Sequence, residues 1–247
     1  MKNGKTLPAE HERACARVAA HFRELWLRLY VGRKLRSDPA YPAALALLGE
    51  SRGTMLDVGC GVGLLGFYLR ERNFQGPIVG LDRDGRKISR ARAVVRQGGY
   101  RDLEFREQDV SATTPPSGNV VLFDVLHYLA PNEQTRLLER LVPRVAPGGL
   151  LVIRDCPREG NARFWLTYLA ERFAQAITWN IRTPLHFPTR EKISAFFSPN
   201  EFSSKIEPLW GATPFNNHLF IFRRCAVATA PAPKARSGSH LPPATRA

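Results

Sequence analysis

The chain has 247 residues, 44% of them apolar, and 36 Lys and Arg against 22 Asp and Glu give a net charge of +14. That length suits one α/β domain with additions, and four scattered cysteines (Cys15, Cys60, Cys156, Cys225) without CxxC or Cys/His ligand spacing argue against a disulfide framework or a zinc site. No apolar run approaches the ~20 residues of a membrane span, and the opening Met-Lys-Asn-Gly-Lys-Thr-Leu-Pro lacks the apolar core of a secretory signal, so a cytoplasmic, reducing setting is expected.

In chain order, residues 10 to 31 predict one amphipathic helix, with Val18, Phe22, Leu25, Trp26 and Leu29 on its apolar face and Arg13, Arg17, Glu24 and Arg28 on its polar face. Asp38-Pro39 marks a turn before a short helix through Leu45 to Leu48. Met55 to Val58 reads as a strand that runs into glycines, followed by a helix from Leu64 to about Arg72. Strands are predicted at Pro77 to Asp82, Leu103 to Asp109, Asn119 to Val125 and Leu150 to Asp155, with helices at Arg86 to Gln97 and Glu133 to Val145 between them. An aromatic-rich helix near Phe164 to Phe173, a helix near Glu191 to Phe197 and an antiparallel pair, about 202–209 and 215–223, close the fold. The Ala/Pro/Ser-rich stretch after Cys225 is expected to be disordered.

Strand–helix alternation finished by a hairpin implies a Rossmann-like, seven-stranded, mostly parallel sheet. In such a sheet a ligand binds beyond the carboxyl ends of the strands. Asp57, the loop Gly59 to Gly63, Asp82, Asp109, Asp124 to Tyr128 and Asp155 all belong there. The glycines let the backbone turn sharply and approach a ligand where a Cβ would clash, and Asp82, at the tip of the second strand, can accept hydrogen bonds from a ribose diol. Gly61-Val62-Gly63-Leu64-Leu65-Gly66 is also a literal GxGxxG, the dinucleotide fingerprint. Asp57 weighs against a dinucleotide: a pyrophosphate at this turn would be repelled by a carboxylate, whereas a sulfonium and an ammonium would be attracted.

Leu56-Asp-Val-Gly-Cys-Gly-Val-Gly63 resembles motif I of class I S-adenosylmethionine-dependent methyltransferases. The resemblance covers about Leu56 to Arg224 and includes the Pro147-Gly148-Gly149 turn before the fifth strand. It implies S-adenosylmethionine as cofactor, with Asp57, Gly59, Cys60, Gly61 and Gly63 around the methionine part. Asp82 would then hold the ribose, Arg83 the adenine face, and Gln108, Asp109 and Val110 the adenine edge, with Asp124 closing the site. It also divides the chain into an N-terminal helical cap (1–50), a cofactor-binding domain (51–224) with a substrate-lid insertion (160–200), and a tail (225–247).

Phe123-Asp-Val-Leu-His-Tyr-Leu129 speaks to the acceptor. It lacks both the Asn/Asp-Pro-Pro-aromatic turn of enzymes that methylate exocyclic base nitrogens and the Cys beside Pro of five-position base methylases. Cys156 follows the fifth strand but lacks the companion loop of an RNA-enzyme nucleophile. The stretch looks like that of small-molecule methyltransferases. His127 is then the candidate catalytic base for a phenol or enol, or a histidine that only bonds backbone around the cofactor. Tyr30, Tyr128, Trp165, His186 and His218 are the candidate acceptor contacts, within walls drawn from Phe22, Trp26, Phe164, Tyr168 and Trp179. Core packing explains those aromatics equally well.

Lys34-Leu-Arg-Ser-Asp-Pro-Ala-Tyr41 and Pro214-Phe-Asn-Asn-His-Leu-Phe-Ile-Phe222 resemble methyltransferases of bacterial aryl-polyene pigment pathways. This implies a hydroxyaryl acceptor, free or held by an acidic acyl carrier protein that docks on the basic surface. The alternatives are an RNA methyltransferase that uses the same charge to hold a phosphate backbone, or compositional bias with no acidic partner. A non-catalytic member of the fold is disfavoured by the intact motif I and Asp82.

Overall fold

The protein, examined as a computed structural model, is described over residues 6–110, 117–177 and 184–226. Three helices come first: α1 (Thr6–Ala20), α2 (Leu25–Ser37) and α3 (Ala40–Leu48). Five strands follow, β1 (Met55–Val58), β2 (Ile78–Asp82), β3 (Leu103–Glu107), β4 (Asn119–Phe123) and β5 (Leu150–Asp155), accompanied by α4 (Leu64–Glu71), α5 (Gly85–Gly98) and α6 (Pro131–Leu141). The chain continues through α7 (Ala162–Ile177) and α8 (Arg190–Ser194) into the hairpin of β6 (Phe202–Pro208) and β7 (His218–Arg224).

All seven strands form one sheet in the order β3-β2-β1-β4-β5-β7-β6. The first five are parallel, and β7 lies antiparallel between β5 and β6. The Rossmann-like α/β architecture implied by the alternation is the one observed. The strand order reverses between β1 and β4, so their crossovers diverge and leave a crevice at the carboxyl ends.

Side-chain alternation assigns the two faces. Met55, Val121 and Val152 join Val18, Leu48, Phe67 and Ile88 from α1, α3, α4 and α5 in one core. Leu56, Val120, Leu122, Leu151 and Ile153 pack with Leu137, Leu138 and Leu141 of α6 and Ile193 of α8 in the other. β5 is buried along its whole length, as a central strand covered on both faces must be.

The first predicted helix is two. The His21 and Phe22 N–H groups bond to the Val18 and Ala19 carbonyls, three residues back, and this tight turn ends α1. α2 restarts in a different phase. Its buried face is Leu27, Val31 and Leu35, while Leu25 and Leu29, expected in the core, are 69% and 64% exposed. Both stripes are apolar, so periodicity alone cannot choose between them once a break resets the phase. The expected tail disorder and Trp179 lie outside the described residues. Among the described residues no helix is long and apolar enough to cross a membrane, and no group of three or more His, Cys, Asp or Glu could hold a metal ion.

Candidate cofactor and acceptor site

The glycine loop and its anchor are built from β1, β2 and the turn that follows each. Gly59 has φ 74°, and a Cβ there would run into the Val125 side chain. Gly61 has φ 58° and open space where its Cβ would be, so a ligand can lie against its backbone. The Gly59 and Cys60 N–H groups donate to the Leu81 carbonyl at 2.7 and 3.0 Å, and Gly63 opens α4. Asp82 fastens the loop to β2: its Oδ2 accepts from the Gly61 N–H at 2.9 Å and its Oδ1 from the Asp84 N–H at 2.8 Å.

A cavity of about 240 Å³ opens beside this loop. Of the residues expected in the site, Gly59, Asp82, Arg83, Gln108, Asp109, Val110, Asp124 and Tyr128 line it. Cys60, Gly61 and Gly63 form the loop itself rather than the lining. Asp57 lies buried at the end of β1, and its Oδ2 has no hydrogen-bond partner. Burial first, and the Asp82 charge second, push its carboxyl up to about 7. A buried acid with a second acid nearby is a place short of positive charge. The residues therefore fit a ligand that carries a sulfonium and an ammonium beside a ribose. A pyrophosphate would add to the repulsion.

The β4–β5 side is assembled from distant segments. Asp124 turns the chain out of β4 in the left-handed region, at φ 55°, and a short 3-10 turn, Leu126–Tyr128, carries His127, which is buried and does not itself line the cavity. Parallel pairing of β4 with β5 brings Asp155 alongside. His127 Nδ1 lies 2.8 Å from Asp155 Oδ1, its backbone N–H donates to Asp155 Oδ2 at 3.4 Å, and its ring stacks on Phe187 with centroids 5.2 Å apart. Nε2 is buried without a hydrogen-bond partner, with Glu171 Oε2 of α7 4.0 Å away. Glu171 also accepts a 2.6 Å hydrogen bond from the Tyr128 hydroxyl. Burial would lower the His127 pKa, but the Asp155 charge and hydrogen bond, helped by Glu171, outweigh it and raise the imidazole to about 9.

A cluster of four charges, with Asp38 and Arg154 buried and Lys34 and Asp124 half-buried, ties the N-terminal helices to the same strand ends. Arg154 of β5 bridges Asp38 at 3.3 Å and Asp124. Lys34 of α2 meets Asp38 at 2.8 Å and Asp124 at 3.8 Å. Two cations against two carboxylates leave the cluster neutral, and the two cations hold Asp38 below the usual carboxylate range in spite of its burial.

Other expected contacts are placed elsewhere. Tyr30 and Trp165 are 52% and 57% exposed and do not line the cavity; Trp26 is likewise exposed, and Phe22 belongs to the core. His186 acts through its backbone, donating its N–H to the His127 carbonyl at 2.8 Å and accepting from Gln134 Nε2 at 2.6 Å. His218 is buried, its Nδ1 3.0 Å from the Asn216 carbonyl and its Nε2 2.8 Å from Arg190. Cys156 is buried and its thiol is pushed up to about 12, unsuited to a nucleophile. Asp155, Glu171, Phe187 and Arg154 received no role from the sequence. A strand-end acid was the only signal for Asp155, and nothing in the spacing points to the others.

Residues 50–186 match the family model described as a methyltransferase domain, which is more than half of the chain, and the chain belongs to that family. Trans-aconitate 2-methyltransferase of Rhizobium meliloti (strain 1021) is 32% identical over 119 residues, 48% of this chain and 44% of that protein. The chain spans about half the length of the curated relatives it matches. Among solved structures, the pyocyanin biosynthetic protein PhzM superposes with a TM-score of 0.61 at 18% identity, covering 85% of this chain and 62% of that one. Magnesium protoporphyrin IX methyltransferase (ChlM) from Synechocystis PCC 6803, solved with bound SAH, gives 0.58 at 16% identity, covering 89% and 94%.

Proposed function

We propose that the protein is an S-adenosylmethionine-dependent methyltransferase acting on a small hydroxyl-bearing aromatic acceptor. The observation that carries the acceptor class is the His127–Asp155 pair: a buried imidazole held at Nδ1 by a carboxylate, its Nε2 without a partner, among the rings of Tyr128 and Phe187. Bound in the crevice, the cofactor supplies an electrophilic methyl group on a sulfonium. Asp57 offsets the cofactor's positive charge from beneath the loop, and Asp82 accepts from the ribose diol. His127 takes the acceptor's hydroxyl proton at Nε2 as the oxygen is methylated, and Asp155 stabilises the imidazolium that results. Alignment of acceptor and methyl supplies a further share of the acceleration.

In this reading residues 1–50 cap the site and 160–200 form its lid, with Phe164 and Tyr168 of α7 packed edge-on or tilted against Phe187 to keep water from His127. A carrier-tethered hydroxyaryl acid, as in aryl-polyene assembly, is the finer form of the proposal. It is supported by α5, which carries five cations, Lys87 of the cavity wall among them, and no acid, and begins just after Arg83 of the same wall. The test offers the purified protein S-adenosylmethionine with free hydroxyaryl acids, the same acids on an acyl carrier protein, and unmethylated RNA, with products followed by mass. A 14 Da gain, the mass of one added CH₂ unit, is expected on the aryl acceptors, and a higher rate on the carrier-bound form. Methylation of RNA alone would overturn the acceptor class and leave the cofactor assignment standing.

A further inference from the structure

The aromatic and aliphatic residues that the acceptor site does not use lie on two helices with outward apolar faces. In α2 the first two turns expose Leu25 (69%), Leu29 (64%) and Tyr30 (52%). In α7 the positions i, i+1, i+4 and i+8 expose Trp165 (57%), Leu166 (45%), Leu169 (62%) and Phe173 (69%), a stripe along one side of its middle turns. Isolated exposed apolar residues need no explanation, but two such helix faces do. Both helices reach the same turn: α2 through Lys34 to Asp124, and α7 through Glu171 to Tyr128.

The charge around these faces selects the occupant. α2 contains four cations, Arg28, Arg33, Lys34 and Arg36, and no acid. Lys34 pairs with Asp38 and Asp124, and Arg36 with Glu12 of α1, so the surface charge that matters here is that of Arg28 and Arg33, of which Arg33 follows the exposed leucines on the same side. Apolar tips with Trp and Tyr among them, backed by arginine, are the composition of a helix that lies in the interface of an anionic bilayer. A second copy of the chain would bring +14 against +14, which opposes self-association through these faces. We propose that α2 and α7 dock the protein on an anionic phospholipid surface, with the leucine, tyrosine and tryptophan side chains entering the headgroup region and the arginines contacting lipid phosphates. Docking would hold the carboxyl ends of β4 and β5, and so the acceptor entrance, toward the lipid. The inference rests on surface composition and stands whether or not the acceptor class is right.

The test is co-sedimentation of the full chain with vesicles of phosphatidylcholine alone and of phosphatidylcholine with 30% phosphatidylglycerol, at low and high salt. Selective binding to the anionic vesicles is expected, together with a blue shift of tryptophan emission that the Trp165→Phe variant diminishes. Leu29→Asp with Leu169→Asp should weaken binding at least tenfold. Both positions are exposed, so folding should survive, and the milder Leu169→Ser should weaken binding severalfold. Absence of binding to anionic vesicles at low salt would overturn the proposal. So would binding that high salt abolishes and the leucine variants leave unchanged, because that is adsorption by charge alone. A dimer in light scattering that Leu169→Asp disperses, without vesicle binding, would assign the faces to a second copy instead. Binding of these faces to an acidic carrier protein, again without vesicle binding, would overturn it equally.

Discussion

The two halves of the crevice are built in opposite ways. On the β1–β2 side the polar groups sit within a few residues of a strand end, and backbone does most of the positioning: Gly59, Cys60 and Gly61 are held by Leu81 and Asp82. On the β4–β5 side each polar group is held by another from a distant segment: His127 by Asp155, Asp124 by Arg154, and Arg154 by Asp38. The first half is left with an uncompensated acid, Asp57. In the second the charges are paired, and His127 Nε2 and Arg154 Nε are the atoms left without a hydrogen-bond partner. A preformed charge deficit suits binding a cation, and a held but unfinished hydrogen bond suits moving a proton. The predictions below separate the two.

The largest effect should follow loss of the proposed base. His127→Asn should lower kcat by about 10²- to 10⁴-fold, while cofactor affinity, measured by calorimetry, stays within about threefold. An equal loss of cofactor binding would mean that the two halves are not separable. Asp155→Asn probes the same bond through pH. His127 is raised to about 9 by Asp155 against the pull of burial, so below that pH the imidazole is protonated and cannot accept. The wild-type rate should therefore climb about tenfold per pH unit below 9. With the carboxylate gone, burial dominates and the inflection should fall by about two units or more.

Arg154→Met strikes the charge cluster. It leaves Asp38 and Asp124 with only Lys34, and removal of one partner from buried ions costs about 3–5 kcal/mol, readable as a drop in thermal midpoint. Because the cluster joins α2 to β5, accelerated proteolysis near α2 should accompany the loss.

Asp57→Asn tests the charge deficit, and its two consequences have opposite signs. Affinity for S-adenosylmethionine should fall about 10-fold or more, with a smaller loss for S-adenosylhomocysteine, which lacks the sulfonium. The free protein should become more stable. In the unfolded chain Asp57 ionises near 3.8, and in the folded protein only near 7. A raised folded pKa means that its contribution to stability is fully present below 3.8 and is lost as pH rises through 7. Above pH 7 the asparagine variant escapes that loss and should gain on the order of 2–4 kcal/mol. Stability unchanged at pH 8 would show that Asp57 is compensated by a group other than the cofactor.

The same contrast explains what could be read in the sequence. Asp57, the glycines and Asp82 are legible because strand end, turn and the next strand end follow each other closely in the chain, and the turn chemistry demands those residue types. The mostly parallel character of the sheet and its closing antiparallel pair are legible for a related reason, strand–helix alternation followed by a hairpin, whereas the strand order, with β7 between β5 and β6, is stated by no local pattern. His127 could be nominated from its position after β4, but its partner could not, because Asp155 lies 28 residues away and only the β4–β5 register brings the two together. Glu171 comes from a helix whose phase against the strand ends no local pattern states. The outward face of α2 differs from expectation for the complementary reason: an apolar stripe says that a face avoids water, not which face the protein itself covers.

The smallest effect separates the lid from the pair it covers. Glu171 stands 4.0 Å from His127 Nε2, and its charge is a lesser cause of the raised imidazole than Asp155. Glu171→Gln keeps an acceptor for the Tyr128 hydroxyl and removes the charge. The pH inflection should then move toward acid by about one unit, less than for Asp155→Asn. The sign follows from the base needing to be neutral. At pH 8 a shift from about 9 to about 8 raises the neutral fraction from roughly a tenth to about half, so the variant should run up to about fivefold faster there. Above about pH 10 the two enzymes should be indistinguishable. A slower variant at every pH would mean that the Glu171 carboxylate touches the acceptor itself, and the lid would then belong to the binding site rather than only to its cover.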